Sequence, residues 1–280
     1  MPLVNMHRIL SKAQNENYAV GSFDVFNTEM LMGIIAAAEE TQSPVILAYA
    51  QVFEETIEME SFAPVMVRMA QKAKVPVVIH LDHAFTYEYI RRAVDCGFTS
   101  VMIDASEKPF EENVAATKKV MDLCRGAGVS VEAELGHVSG GEAEEIDDKY
   151  IYTDVREAEA FVKQTGVDAL AVAIGTVHGV YKAKPVLSLS RLKEIKSCTN
   201  IPIVLHGGSG LSDDDFKATI VNGVNKINIF TDLMQAAMGR IRLDADKNLS
   251  YINQCVNIAD AVKNETIKKI RLFGSDGKAE

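Results

Sequence analysis

The chain has no Cys-x-x-Cys pair. Its four cysteines, Cys96, Cys124, Cys198 and Cys255, stand far apart, as free thiols do in a reducing compartment. The first residues, Met1-Pro2-Leu3-Val4-Asn5, lack the basic segment and the long apolar run of a secretory leader. No stretch approaches the roughly 18 uninterrupted apolar residues that a membrane span needs. A cytoplasmic location is expected. Positive charge is in short supply: 29 Lys and Arg stand against 39 Asp and Glu, a formal net charge of −10. That argues against a nucleic-acid or membrane-surface partner, both of which favour a basic face. It leaves room for a small anionic substrate, because a pocket can be locally positive. No Gly-x-Gly-x-x-Gly follows the first apolar run, so a dinucleotide-binding sheet is disfavoured.

What is present is alternation. Short apolar runs fall at 18–23, 45–49, 75–81, 100–103, 129–135, 169–174, 201–205 and 226–229. Several are nearly continuous in Val, Ile and Ala, as strands buried on both faces read. Between them lie amphipathic stretches such as 86–96, 110–125, 154–165 and 212–222, with Gly97, Gly126, Gly166 and Gly223 expected to close helices. Eight strand–helix units predict an α/β fold, a single (β/α)₈ TIM barrel, with residues 1–280 forming one domain. The Gly- and acid-rich segment 139–152 reads as a long mobile loop after the fifth strand. Residues 253–270 read as a terminal helix.

Active sites of such barrels gather at the C-terminal ends of the strands. The third run ends in His80-Leu81-Asp82-His83 and the fourth in Asp104. The fifth carries Glu132 and Glu134, the sixth leads to His178, and the seventh ends in His206. Strand alternation separates Asp82 from His83, so one can point inward while the other turns to a loop position. His83, His178 and His206 stand just past strand ends on one face; three histidines from separate strands can hold Zn²⁺ and leave a fourth position open for catalysis. His80 and His137 lie nearby and stay in play as ligands, whereas His7 is remote.

A second constellation is a phosphate cradle. Gly207-Gly208-Ser209-Gly210 follows the seventh strand and leads to a helix at Ser212, whose N–H groups can face an anion. Gly179 precedes a loop with Lys182, and Thr231 adds a hydroxyl. A metal, carboxylates and a phosphate cradle suit aldol chemistry. Zinc polarises a ketone, a carboxylate moves the proton, and the phosphate fixes the rest of the substrate. Asp82 is the candidate for proton transfer at the C4 hydroxyl, and Glu142 for the other proton.

These residues sit in recognisable motifs: Leu81-Asp-His83, Ser100-Val-Met-Ile-Asp104, Pro109-Phe-Glu-Glu-Asn113, Glu132-Ala-Glu-Leu-Gly136, Gly140-Gly-Glu142, Ala171 to Gly179, His206 to Gly210, Lys226-Ile-Asn228 and Phe273-Gly-Ser275. Through them the chain resembles the class II fructose-bisphosphate and tagatose-bisphosphate aldolases over nearly its whole length. The resemblance implies a lyase with zinc at His83, His178 and His206, and an alternative resting position for the metal at Asp104 and Glu134. It implies Asp82 and Glu142 as acid/base groups and Asn228 on the enediolate. It also implies that Gly179, Lys182, Gly207, Ser209 and Thr231, with Gly208 in the same loop, hold the phosphate of dihydroxyacetone phosphate. A monovalent cation (Na⁺ or K⁺) nearby and a homodimer or homotetramer go with the family.

The chain also departs from the pattern. Asp24 stands where the family usually has Asn, Ala50 where many members have Ser, and Phe230 where a small or polar residue is usual. Leu249 stands where an Arg often serves a second phosphate. All four changes fall on the aldehyde half, and a carboxylate in place of an amide disfavours a second phosphate. The expectation is an aldolase that keeps dihydroxyacetone phosphate but takes an aldehyde other than glyceraldehyde 3-phosphate. The alternatives are an ordinary fructose- or tagatose-1,6-bisphosphate aldolase, an epimerase or phosphohydrolase on the same barrel, and a non-catalytic barrel that binds a sugar phosphate.

Overall fold

The computed structural model describes residues 2–136, 152–176 and 185–280. Eight parallel strands close on themselves in sequence order: β1 (Val20–Asp24), β2 (Val45–Ala50), β3 (Val77–Ala84), β4 (Ser100–Ile103), β5 (Ser130–Leu135), β6 (Ala169–Val172), β7 (Ile203–Leu205) and β8 (Val224–Ile229). Around them lie α2 (Thr28–Thr41), α3 (Met59–Lys72), α4 (Tyr87–Asp95), α5 (Phe110–Ala127), α6 (Val155–Thr165), α7 (Leu189–Thr199), α8 (Asp213–Val221), α9 (Thr231–Asp244) and α10 (Tyr251–Phe273). The expected (β/α)₈ barrel is the fold found.

The helices begin where side chains accept orphan amides. Asn27 caps α2, Thr86 caps α4, Asp154 caps α6, and Ser212 forms a capping box with Asp215 on α8. One helix stop differs from the one expected. Gly126 lies inside α5, and Gly128, with φ 69°, ends that helix. The first glycine keeps a right-handed backbone; the second supplies the left-handed one.

Strand parity divides the barrel. Phe23, Leu47, Ile79, Val101, Ala133, Val172, Leu205 and Ile227 join the large apolar cluster under the outer helices. Val20, Ile46, Val78, Ala169, Ala171 and Val204 join a second cluster with Met6, Ile9, Leu10 and Ala13 of α1 (Met6–Glu16). This N-terminal helix, not foreseen from the sequence, therefore covers the N-terminal end of the barrel. Above that floor the interior is polar. Ser22, His80, Ser100, Glu132 and Lys226 are all fully buried. The site must form at the opposite end.

Helix α10 packs along α2, where Gly33 permits close approach. A Cβ there would lie 2.6 Å from the Ala259 carbonyl oxygen and 3.0 Å from the Lys263 backbone nitrogen. Gly33→Ala should therefore cost about 1–3 kcal/mol, despite the helix propensity gained. Gly126→Ala has open space around it and should stabilise by about 0.5–1 kcal/mol. Thermal unfolding of the two variants checks this: opposite signs are expected, with about 2–4 °C per kcal/mol at this chain length.

Candidate active site

The C-terminal mouth gathers two histidines and a ring of carboxylates. His83 Nε2 and His206 Nδ1 face each other at 2.9 Å. Their other ring nitrogens are engaged: His83 Nδ1 lies 2.9 Å from Asp104 Oδ2, and His206 Nε2 lies 2.9 Å from Glu132 Oε1. Glu134 Oε2 is 3.7 Å from His206 Nδ1, and Asp82 Oδ2 is 3.9 Å from His83 Nε2.

His83 reaches this place by breaking strand alternation. Its φ is 43°, and the β3–β4 register shifts between Leu81 and Ala84. Asp82 faces inward with His80, and the bulge turns His83 back to the same mouth instead of away from it. Asp82 thus points inward while His83 stands on a turned, left-handed residue, and both line the same cavity. A left-handed backbone at a non-glycine residue is a strained conformation of the kind found at functional sites.

The donor chemistry fits a metal. Imidazoles whose outer nitrogens are held by carboxylates present oriented, basic inner nitrogens, the usual surroundings of a metal-bound histidine. Asp82, His83 and His206 offer ligand atoms within 4.8 Å of one another, as do His83, Asp104 and Glu134. The electrostatics agree. Burial alone would lower His83, but Asp82, Asp104 and Glu134 raise it to about 10, so the ring of acids calls for positive charge at this point. His178, Glu142, Gly179, Lys182 and His137 lie outside the described residues.

Below the histidines is a buried support. Lys226 Nζ lies 2.9 Å from Glu132 Oε2 and 3.1 Å from Oε1, all fully buried. Burial would raise Glu132, but Lys226, His206 and His80 hold it down at about 2. His80 Nδ1 lies 2.8 Å from Ser100 Oγ, and its Nε2 is 3.6 Å from Asp82 and 3.8 Å from Glu132. The group His80, Asp82 and Glu132 can also bring three ligand atoms together, but the Lys226 ammonium already supplies its positive charge. His80 therefore supports the site from below. The sequence reading did not single out Lys226, and gave Glu132 no role. The signal was parity: His80 and Asp82, Glu132 and Glu134, and Lys226 and Asn228 are each two apart on one strand.

Asn228 donates from Nδ2 to both Asp82 oxygens at 3.1 Å. Burial alone would raise Asp82, but His83, His80 and Lys226 keep it well below the usual carboxylate range. Asp24 behaves oppositely, pushed well above that range by burial and by the Asp82 charge beside it.

These groups open onto one cavity. Asp24, Asp82, His83 and Asn228 line its polar side, and Ala50, Val52, Phe53 and Phe230 its apolar side. Gly207, Gly208, Ser209 and Thr231 complete it. Ser209 Oγ accepts from the Phe230 N–H at 3.3 Å, joining the loops after β7 and β8. At Gly208 a Cβ would lie 3.0 Å from Ile227 and 3.1 Å from the Asn228 carbonyl oxygen, so only glycine fits comfortably. The helix N-terminus at the cavity differs from the one expected. The α8 start carries Asp213, Asp214 and Asp215 and is satisfied by its own capping box. The α9 start has no side-chain cap, and its first residue, Thr231, lines the cavity. Leu249 lies elsewhere, 37% exposed between α9 and α10.

The sequence profile described as fructose-bisphosphate aldolase class-II matches residues 4–278. The chain is 47% identical over 270 residues to the uncharacterized protein YdjI of Escherichia coli K12, covering 96% of each. It is 43% identical over 288 residues to a fructose-bisphosphate aldolase of Geobacillus stearothermophilus, covering 100% of this chain and 99% of that one. The crystal structure of the E. coli YdjI aldolase superposes with a TM-score of 0.91 at 44% identity, covering 99% of this chain and 100% of that one. A crystal structure from Coccidioides immitis, described as a fructose-1,6-bisphosphate aldolase, superposes at 0.89 with 29% identity and covers 98% of each chain. The chain belongs to the class II fructose-bisphosphate aldolase family, and its chemistry is that of a lyase.

Lys226→Met would leave Glu132 ionised and buried without its cation. Urea unfolding at neutral pH should show a loss of about 3–5 kcal/mol, and adding Glu132→Leu should recover a good part of it.

Proposed function

We propose that the protein is a zinc-dependent class II aldolase that cleaves or forms a ketose phosphate, with dihydroxyacetone phosphate as the nucleophilic half and an aldehyde other than glyceraldehyde 3-phosphate as the other. The observation that carries the reading is the facing pair His83 and His206, each held from behind by a carboxylate. Together with His178 they would hold the zinc, and Asp104 and Glu134 offer it a second resting place. When bound, the metal supplies Lewis acidity toward the ketone.

The remaining chemistry falls to the chain's own residues. Asp82 takes the proton from the C4 hydroxyl as the carbon–carbon bond breaks, and returns it in synthesis; its depressed pKa keeps it ionised and ready. Asn228 orients Asp82 and lies where it can also hold the enediolate oxygen. Gly207, Gly208, Ser209 and the α9 start at Thr231 would receive the phosphate through backbone and hydroxyl donors, with Gly179, Lys182 and a monovalent cation completing the site. Glu142 would move the second proton. The whole chain, 1–280, acts as one catalytic domain in this reading.

Self-association as a homodimer or homotetramer is supported by exposed apolar side chains on and between α9 and α10: Met238, Leu249, Tyr251, Ile252 and Val256. Four unpaired cysteines suit a cytoplasmic setting. Among the described residues no helix is long and apolar enough to cross a membrane.

A second reading, an ordinary fructose- or tagatose-1,6-bisphosphate aldolase, is favoured by the name of the 43%-identical Geobacillus relative. Asp24, Ala50 and Phe230 in the cavity wall favour the first. A coupled assay for released dihydroxyacetone phosphate separates the two. Zinc-loaded protein should release it from ketose 1-phosphates, should fall silent with a chelator, and should recover with zinc. A preference of about a thousandfold for fructose 1,6-bisphosphate over fructose 1-phosphate, about 4 kcal/mol, would establish the second reading instead. Asp82→Asn should slow cleavage by about 10²–10⁴-fold, read as kcat in the same assay.

A further inference from the structure

The aldehyde end of the cavity has a built chemistry. Asp24 stands at the C-terminal end of β1, 7% exposed, and its Oδ1 is buried without a hydrogen-bond partner among the described residues. The side chain lines the cavity beside Asp82, the group that handles the proton of the reacting oxygen. A buried acceptor with nothing to accept from is costly unless a water or a ligand supplies the donor. On the apolar side Phe53 and Phe230 line the cavity, and the Phe26 ring packs against both. Phe53 and Phe230 have centroids 5.2 Å apart, Phe26 and Phe53 5.6 Å, and Phe26 and Phe230 6.2 Å. Ala50 and Val52 extend it. No lysine or arginine is among the described residues that line the cavity.

We propose that Asp24 and the Phe53–Phe230 wall, braced by Phe26, form the recognition site for the electrophile, and that the electrophile is a short, uncharged aldehyde with a hydroxyl on the carbon next to the carbonyl and an apolar carbon beyond it. The inference rests on the aldolase reading above. The hydroxyl donates to Asp24 while the aldehyde oxygen lies toward Asp82, and the apolar carbon lies on the rings. In synthesis a base takes the proton from a C–H bond of dihydroxyacetone phosphate, that carbon bonds to the aldehyde carbon as the C=O π bond breaks, and the former aldehyde oxygen, still on its carbon, takes the proton that Asp82 carries and becomes a hydroxyl. A phosphate on the electrophile would meet aromatic faces and a second carboxyl group, with no lysine or arginine to pair with among the described residues that line the cavity.

The test is condensation by the zinc-loaded full chain of dihydroxyacetone phosphate with lactaldehyde, propanal, glycolaldehyde and glyceraldehyde 3-phosphate, compared as kcat/KM. Lactaldehyde should exceed propanal, which lacks the hydroxyl, by about tenfold to hundredfold. It should exceed glycolaldehyde, which lacks the methyl, by about tenfold. Glyceraldehyde 3-phosphate should fall below lactaldehyde. Asp24→Leu should bring the lactaldehyde-to-propanal ratio to within about threefold of one. Phe230→Ala, on a different strand end, should erase the lactaldehyde-to-glycolaldehyde ratio and leave the propanal comparison in place. A wild-type preference for glyceraldehyde 3-phosphate overturns the proposal, and so does a lactaldehyde-to-propanal ratio near one. Exchange of a dihydroxyacetone phosphate C–H into D₂O is followed in parallel on the wild type. Exchange without aldehyde discrimination rejects this inference alone, whereas no exchange rejects the aldolase reading with it.

Discussion

Lys226 has no access to water, and its ammonium rests between the two oxygens of Glu132 deep in the barrel. Such a pair is expensive to bury and worth keeping only if it fixes something. Here it fixes Glu132, whose other contact is the outer nitrogen of His206. His206 in turn faces His83, and His83 leans on Asp104. One charge in the interior thus sets the tautomer and direction of an imidazole at the mouth. The apolar clusters enclose this chain of contacts and exclude the water that would weaken it.

The same polar layer explains the inner face of the barrel. Where strand side chains meet on the axis, branched apolar residues are the usual filling. This barrel places them at the floor, against α1, and gives the upper layers to His80, Glu132, Lys226 and Asn228. Stability is drawn from the outer cluster between sheet and helices, so the axis is free to carry chemistry. The bulge at His83 adds a further cost in backbone strain, borne by the same outer packing.

Much of this was legible in the sequence. The apolar runs gave eight strands in nearly the right places, because the face of each strand under the helices is largely apolar, even where the inward face is polar. The motifs gave His83, His206, Asp82 and Asn228; the structure brings Asp82, His83 and Asn228 to one cavity and sets His206 against His83. Three things were not legible. The floor helix α1 has an ordinary amphipathic pattern, and nothing local says that it covers a barrel end. The turn of His83 follows from a single dihedral angle that residue type does not reveal. The pairing of Lys226 with Glu132 is hidden because the two stand on strands far apart in sequence, and only their shared inward parity points to it. The helix start at Ser212 is hard to judge for a related reason: it looks open to an anion until Asp215 is seen to satisfy it.

The cavity is divided by the kind of atom that lines it. One side, where the proposed phosphate would sit, is made largely of peptide groups, in the loop after β7 and at the start of α9, with Ser209 tied to the Phe230 amide. The opposite side is made of side chains: Asp24, Ala50, Val52, Phe53 and Phe230. A point substitution alters a side chain and leaves a peptide N–H where it was. Descent can therefore revise one half of this pocket by single steps while the other half is inherited almost untouched, and a lineage built on this barrel can change the partner it joins without relearning how to hold the piece it always carries.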